Sequence, residues 1–247
     1  MKTLRWPIVG MIAISASLAG ATPPPTVGAH ALAYYPIDGG PDPLSIPGIS
    51  TQPSGSTILT CVARGKINGF TPAAIPKDNK GNLPYAPLSP VHTYTHYQNS
   101  GTQLFAFLSA TGGEGHRLTT ALPADDEITM AVIEVKNGGV IQEVQWNEVP
   151  LDAPLTSRSV TTTGPATLIA FWWGDGDVDV AHAATPNNGF VVTDKLLPKG
   201  ALIQCVVATK TVSAPGTYNV TWDSNTQEGA QLYLVAVQGK TIREPGK

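Results

Sequence analysis

Residues 166–176, ATLIAFWWGDG, decide how the chain is read, because residues 56–65, STILTCVARG, have the same form earlier. Each is an apolar run of about 8 residues, opened by Thr and closed at Gly, the length and punctuation of a buried strand. The segments downstream of each run match too. After the first come GTQLFAFLSAT (101–111), HRLTTAL (116–122) and EITMAVIEVKNGG (127–139). After the second come GALIQCVVATK (200–210), GTYNVTW (216–222) and AQLYLVAVQGK (230–240). The same order at a period of about 100 residues reads as two divergent copies of one β unit.

Composition agrees. Of 247 residues only 13% are charged, while Gly (25) and Pro (22) are abundant, which suits an exported all-β protein better than a helical one. No segment carries a 3.6-residue stripe. Many short strands between Gly/Pro turns predict antiparallel β-sandwiches of the Ig-like or jelly-roll-like kind. A net charge of −3 without a basic block argues against nucleic acid as a partner.

The chain divides into five segments. Met1-Lys2-Thr3-Leu4-Arg5, the apolar run 8–18 and Ala19-Gly20-Ala21 form a signal-peptide pattern over residues 1–21, so a secreted or periplasmic location is expected. No later run reaches about 18 apolar residues, so no membrane span is expected. Residues 22–54 are Pro/Gly-rich and read as a lead-in. Copy one is placed at 55–150, copy two at 151–240, and 241–247 is a polar tail. Two sandwiches in tandem are preferred over two copies sharing one core, since about 90 residues suffice for a sandwich. Cys61 and Cys205 fall in different copies; a bridge needs Cα atoms within about 7 Å, and two small buried side chains are the favoured reading.

The pattern Asp78-x-x-Gly81-Asn82-x-x-Tyr85, the strand after Gly101, and the ending Val135-Lys136-Asn137-Gly138 resemble a β-sandwich module of secreted bacterial proteins. The connection Leu151-Asp152 to Ser159-Val160-Thr161-Thr162-Thr163 is similar as well. The resemblance covers most of residues 55–239. Some such modules are attached to carbohydrate-active enzymes, so the likeness implies a fold and an exported setting, and no reaction. Copy two keeps Asn188-Gly189 without the preceding Asp.

Candidate chemistry centres on Trp172-Trp173-Gly174-Asp175-Gly176-Asp177-Val178-Asp179. Asp175, Asp177 and Asp179 alternate behind glycines, the spacing by which a curled loop can turn oxygens onto calcium, although Pro186 stands where an EF-hand has its Glu. Trp172 and Trp173 point to opposite faces of a strand, so one indole at the loop mouth would be free to stack on a sugar ring beside Asp175 and Asp177. The competing reading makes both indoles core and the acids a solvated loop. His92, Tyr94 and His96 share a face of an extended segment, but two imidazoles about 13 Å apart cannot hold one zinc. His30 would head the chain only after a cut behind Ala29, the arrangement of copper-dependent polysaccharide oxidases. Trp146-Asn147-Glu148 has the Asn-Glu order of some retaining glycosidases, without the barrel those need. The expectation is therefore a non-catalytic binding or adhesion protein for a polysaccharide or cell-surface polymer. The alternatives are a structural spacer and a secreted copper oxidase.

Overall fold

The computed structural model describes residues 24–36, 40–67, 74–122, 126–150, 154–175, 183–197, 199–201, 203–224 and 229–239. The expected signal peptide, the polar tail, Asp177 and Asp179 lie outside them. All described elements are strands. The first nine are β1 (Thr26–Tyr35), β2 (Leu44–Ser45), β3 (Ser54–Arg64), β4 (Lys77–Asp78), β5 (Ala86–Pro87), β6 (His92–Thr93), β7 (Gly101–Thr111), β8 (Leu118–Thr120) and β9 (Ile128–Lys136). Then come β10 (Gly138–Val149), β11 (Leu155–Thr156), β12 (Val160–Thr162), β13 (Ala166–Asp175) and β14 (Ala184–Pro186). The last five are β15 (Val191–Leu196), β16 (Gln204–Val212), β17 (Gly216–Tyr218), β18 (Thr221–Ser224) and β19 (Gly229–Gly239).

Every pairing is antiparallel. One large sheet runs β1-β9-β3-β7-β5, with β6 also on β7; the other runs β10-β19-β13-β16-β15. Small sheets β2-β8-β4, β11-β18-β14 and β12-β17 complete the set.

The two opening runs explain the layering. A strand with one wet face alternates, whereas one buried on both faces reads as a continuous apolar run. In β3, Leu59, Cys61 and Ala63 point into one core cluster, and Ile58 and Val62 into another. In β13, Ile169, Phe171 and Trp173 join the first of these, while Leu168, Ala170 and Trp172 enter a third. The shared cluster draws Ile133 and Val135 from one large sheet and Tyr233, Val235 and Val237 from the other. The large sheets therefore pack face to face, and the small sheets cover their outer faces through Leu44 and Leu118 on one side and Leu155 and Trp222 on the other. The expectation of tandem units with separate cores gives way to a common central layer. Each fully buried Phe or Leu in it contributes about 1.5–3 kcal/mol.

Short polar side chains stitch that layer. Thr129 Oγ1 donates to the Ile203 carbonyl at 3.1 Å, Thr167 Oγ1 to the Pro25 carbonyl at 2.9 Å, and Tyr94 OH to the Trp173 carbonyl at 3.3 Å.

Two segments fall differently from the sequence reading. The supposed lead-in supplies β1, a ten-residue edge strand paired with β9 from Thr26 to Tyr35. Residues 139–149, expected to extend copy one, lie in β10 and pair with β19 in the other large sheet. The crossing is made at Asn137, whose φ of 57° is in the left-handed region that Asn tolerates. Gly138 comes next because a Cβ there would stand 3.0 Å from both the Thr57 hydroxyl and the Val135 carbonyl.

Candidate functional site

The sequence placed its ligand site at the end of β13. Trp172 and Trp173 do point to opposite faces, as the alternation requires, but both faces are interior and both side chains are 0% exposed. Neither indole can stack on a sugar; this corrects their assignment as ligand-binding residues. Asp175 closes β13 opposite Gly229. Asp177 and Asp179 fall outside the described residues. Among the described residues no group of three or more His, Cys, Asp or Glu could hold a metal ion.

The side chains the structure does bring together are those of the Asp78 motif. The turn after β4 curls so that Asp78 Oδ1 accepts the backbone N–H of Lys80 (2.9 Å) and Asn82 (3.0 Å). Oδ2 accepts Asn82 Nδ2 (2.6 Å), Tyr85 OH (2.9 Å) and His116 Nε2 (3.0 Å). Asn82 also clasps the end of β7, giving Nδ2 to the Thr111 carbonyl and accepting the Thr111 N–H. With Nε2–H turned to the carboxylate, His116 Nδ1 accepts a hydrogen bond from the Thr51 hydroxyl at 3.0 Å, and Thr51 Oγ1 accepts the Gly113 N–H at 3.1 Å. Burial pushes the Asp78 carboxyl up, but the hydrogen bonds from His116, Asn82 and Tyr85 outweigh it and bring its pKa to about 2. Tyr85 goes the other way: burial and the adjacent carboxylate push the phenol well up.

Asp78, His116 and Thr51 stand in the order of a nucleophilic relay. Chemically they cannot act as one, because the Asp78 and His116 side chains are sealed at 0% exposure and the Thr51 oxygen is held by Gly113. The arrangement fastens the segment before β3, the β4 turn and the β7–β8 connection to one another. The sequence signalled half of it through the Asp-Asn-Tyr spacing. His116 and Thr51 gave no local signal, being 38 and 65 residues from their partners.

The remaining candidates are likewise engaged internally. Glu134, fully buried, accepts from Ala29 N (2.9 Å), Gln52 N (2.7 Å) and Ser56 Oγ (2.5 Å), tying the bulge of β1 to the entry of β3. Thr102 Oγ1 donates to Gln231 Oε1 at 2.6 Å and lies 2.9 Å from Tyr233 OH, linking the large sheets. His30 sits inside β1 with Thr26 and Val27 paired ahead of it, and its Nδ1 is 2.8 Å from Asp194 Oδ2. His92 and His96 do not converge, since His92 stacks on Trp146 while His96 is exposed. Asn147 is bonded to the Thr156 carbonyl and the Arg158 N–H, and Glu148 accepts the Thr95 N–H. Cys61 and Cys205 are free thiols in the central core, raised by burial. A groove of about 600 Å³ runs between β14 and β15, lined by Ala184, Thr185, Val192, Asp194, Lys195 and Leu197. Its acid is the one paired with His30.

No protein-family model, curated protein or solved structure matches this chain.

Proposed function

We propose that the protein is an exported, non-catalytic structural or assembly component, built from two divergent copies of one β unit joined through their large sheets. One observation carries the reading. The indoles that would serve a ligand platform are turned inward, with Trp172, Trp173 and Trp222 all at 2% exposure or less. Elsewhere in the interior, Asp78, Glu134, Gln231 and His116 have protein partners. Support for the duplication comes from the strand orders. β1-β9-β3-β7-β5 and β10-β19-β13-β16-β15 correspond one for one, as do the outer β2-β8-β4 and β11-β18-β14. The signal-peptide pattern of residues 1–21 supports export.

A glycan array, with and without calcium, tests this against polysaccharide binding. The structural reading expects no retention under either condition. Calcium-dependent retention that disappears in Asp175→Ala or Asp177→Ala would replace it with the sugar-facing loop.

A further inference from the structure

Between β7 of the first large sheet and β19 of the second, an alcohol and a carboxamide are held against each other. Thr102 Oγ1 donates to Gln231 Oε1 at 2.6 Å, and both side chains are fully buried. The other end of the amide is held too, with Gln231 Nε2 lying 3.5 Å from the His92 carbonyl. Because the one Thr102 hydrogen points to Gln231, the Tyr233 phenol, 2.9 Å from Oγ1, is the donor in that second contact. The fourth member is His92. It pairs directly with Thr102 across β6 and β7, which sets the two side chains on one face with Cβ atoms about 5 Å apart. The His92 ring also meets the edge of the Tyr233 ring, with centroids at 5.9 Å. We propose that Thr102 and Gln231 condense into an internal ester, a covalent bond between the two large sheets.

The reaction is an acyl transfer within the chain. His92 takes the hydroxyl proton as Thr102 Oγ1 adds to Gln231 Cδ. The charge that develops on Oε1 is met by the Tyr233 hydrogen, which has only to turn from Oγ1 to the neighbouring oxygen. The tetrahedral centre then collapses: the Cδ–Nε2 bond breaks, the proton on His92 passes to the nitrogen, and ammonia leaves. One Oγ1–Cδ bond is formed, one Cδ–Nε2 bond is lost, and no oxidant or other reactant takes part. Burial keeps the two auxiliary groups in the forms required. It holds the His92 imidazole below its ordinary pKa, hence neutral at pH 7, and pushes the Tyr233 phenol well up, hence protonated. The same burial keeps water from the ester, while half-buried His92 marks the way out for ammonia.

The packing of the sheets does not itself demand this set. In the first sheet Ala63 is flanked by Thr102 and Thr129; in the second, Trp173 at the matching place is flanked by Cys205 and Gln231. The exchanged pair is therefore Cys205 and Thr129, which has no carboxamide, and Thr129 gives its hydroxyl to the Ile203 carbonyl instead.

Mass spectrometry of the full chain, aged at neutral pH and then denatured, tests the ester. The chain should be lighter than its own sequence by one ammonia. Proteolysis should give a single fragment joining the β7 peptide to the β19 peptide, and hydroxylamine should split it and leave a hydroxamate at position 231. Thr102→Val, which keeps the shape and loses the nucleophile, should retain the ammonia. His92→Phe should slow conversion about a hundredfold. A chain of full mass with separate β7 and β19 peptides overturns the proposal, and that reading on the unmodified chain decides it even where Thr102→Val does not fold. Ammonia lost without a joined fragment, as from a succinimide at Asn137-Gly138 or Asn188-Gly189, overturns it equally. Conversion of His92→Phe at the unmodified rate overturns the part given to His92.

Discussion

Asp78 shows how a single carboxylate organises a turn. It accepts five hydrogen bonds from four residues, and the spacing Asp78, Asn82, Tyr85 places three of those donors in one stretch of chain. Removing the charge leaves Tyr85 and His116 buried with a weaker acceptor. Asp78→Asn is expected to lower stability by about 2–4 kcal/mol, measured by urea unfolding at neutral pH. Acid should do the same to the native chain. The carboxyl's folded pKa is depressed from 3.8 to about 2, so its contribution is full above pH 3.8 and is lost as pH falls through 2. Asp78→Asn should flatten the stability profile over that window; an unchanged slope would place the acid sensitivity elsewhere.

Among the elements, the passage from β9 to β10 matters most, because it carries the chain from one large sheet to the other within one residue. Gly138→Val would press its side chain on Thr57 and the Val135 carbonyl, at an expected cost of about 1–3 kcal/mol in urea unfolding. A neutral substitution would mean that the turn relaxes and the crossing is loosely held. The central strands were readable because burial on both faces leaves an uninterrupted apolar run, as in β3 and β13. Edge strands were harder. β1 (TVGAHALAYY) is only partly buried along most of its length, and a bulge between Val27 and His30 breaks its alternation. β10 was recognisable as extended chain, yet its partner was not, because nothing in Asn137-Gly138 says which sheet receives the next strand. The candidate site was legible only where its residues are close in sequence. The Asp78 turn satisfies that condition, while His116, Thr51 and the inward course of Trp172 and Trp173 depend on what packs against them.

At the scale of the whole molecule, the difference between tandem sandwiches and a common layer is a difference in cooperativity. Sequence repetition is compatible with either, since both bury the same apolar strands. The two are separated by where Phe171, Trp173, Tyr233, Leu59 and Ile133 go, and all five meet in one cluster. Losing either half would expose that face and leave the other with only the outer cluster between its large and small sheets. Trp173 is drawn into the same cluster and Trp172 into the one on the other face of β13, which favours a structural role over a sugar-stacking one. Differential scanning calorimetry of the full chain tests the central claim most directly. A shared layer predicts one transition, with calorimetric and van't Hoff enthalpies equal. Two separable transitions, each accounting for about half of the heat, would contradict it.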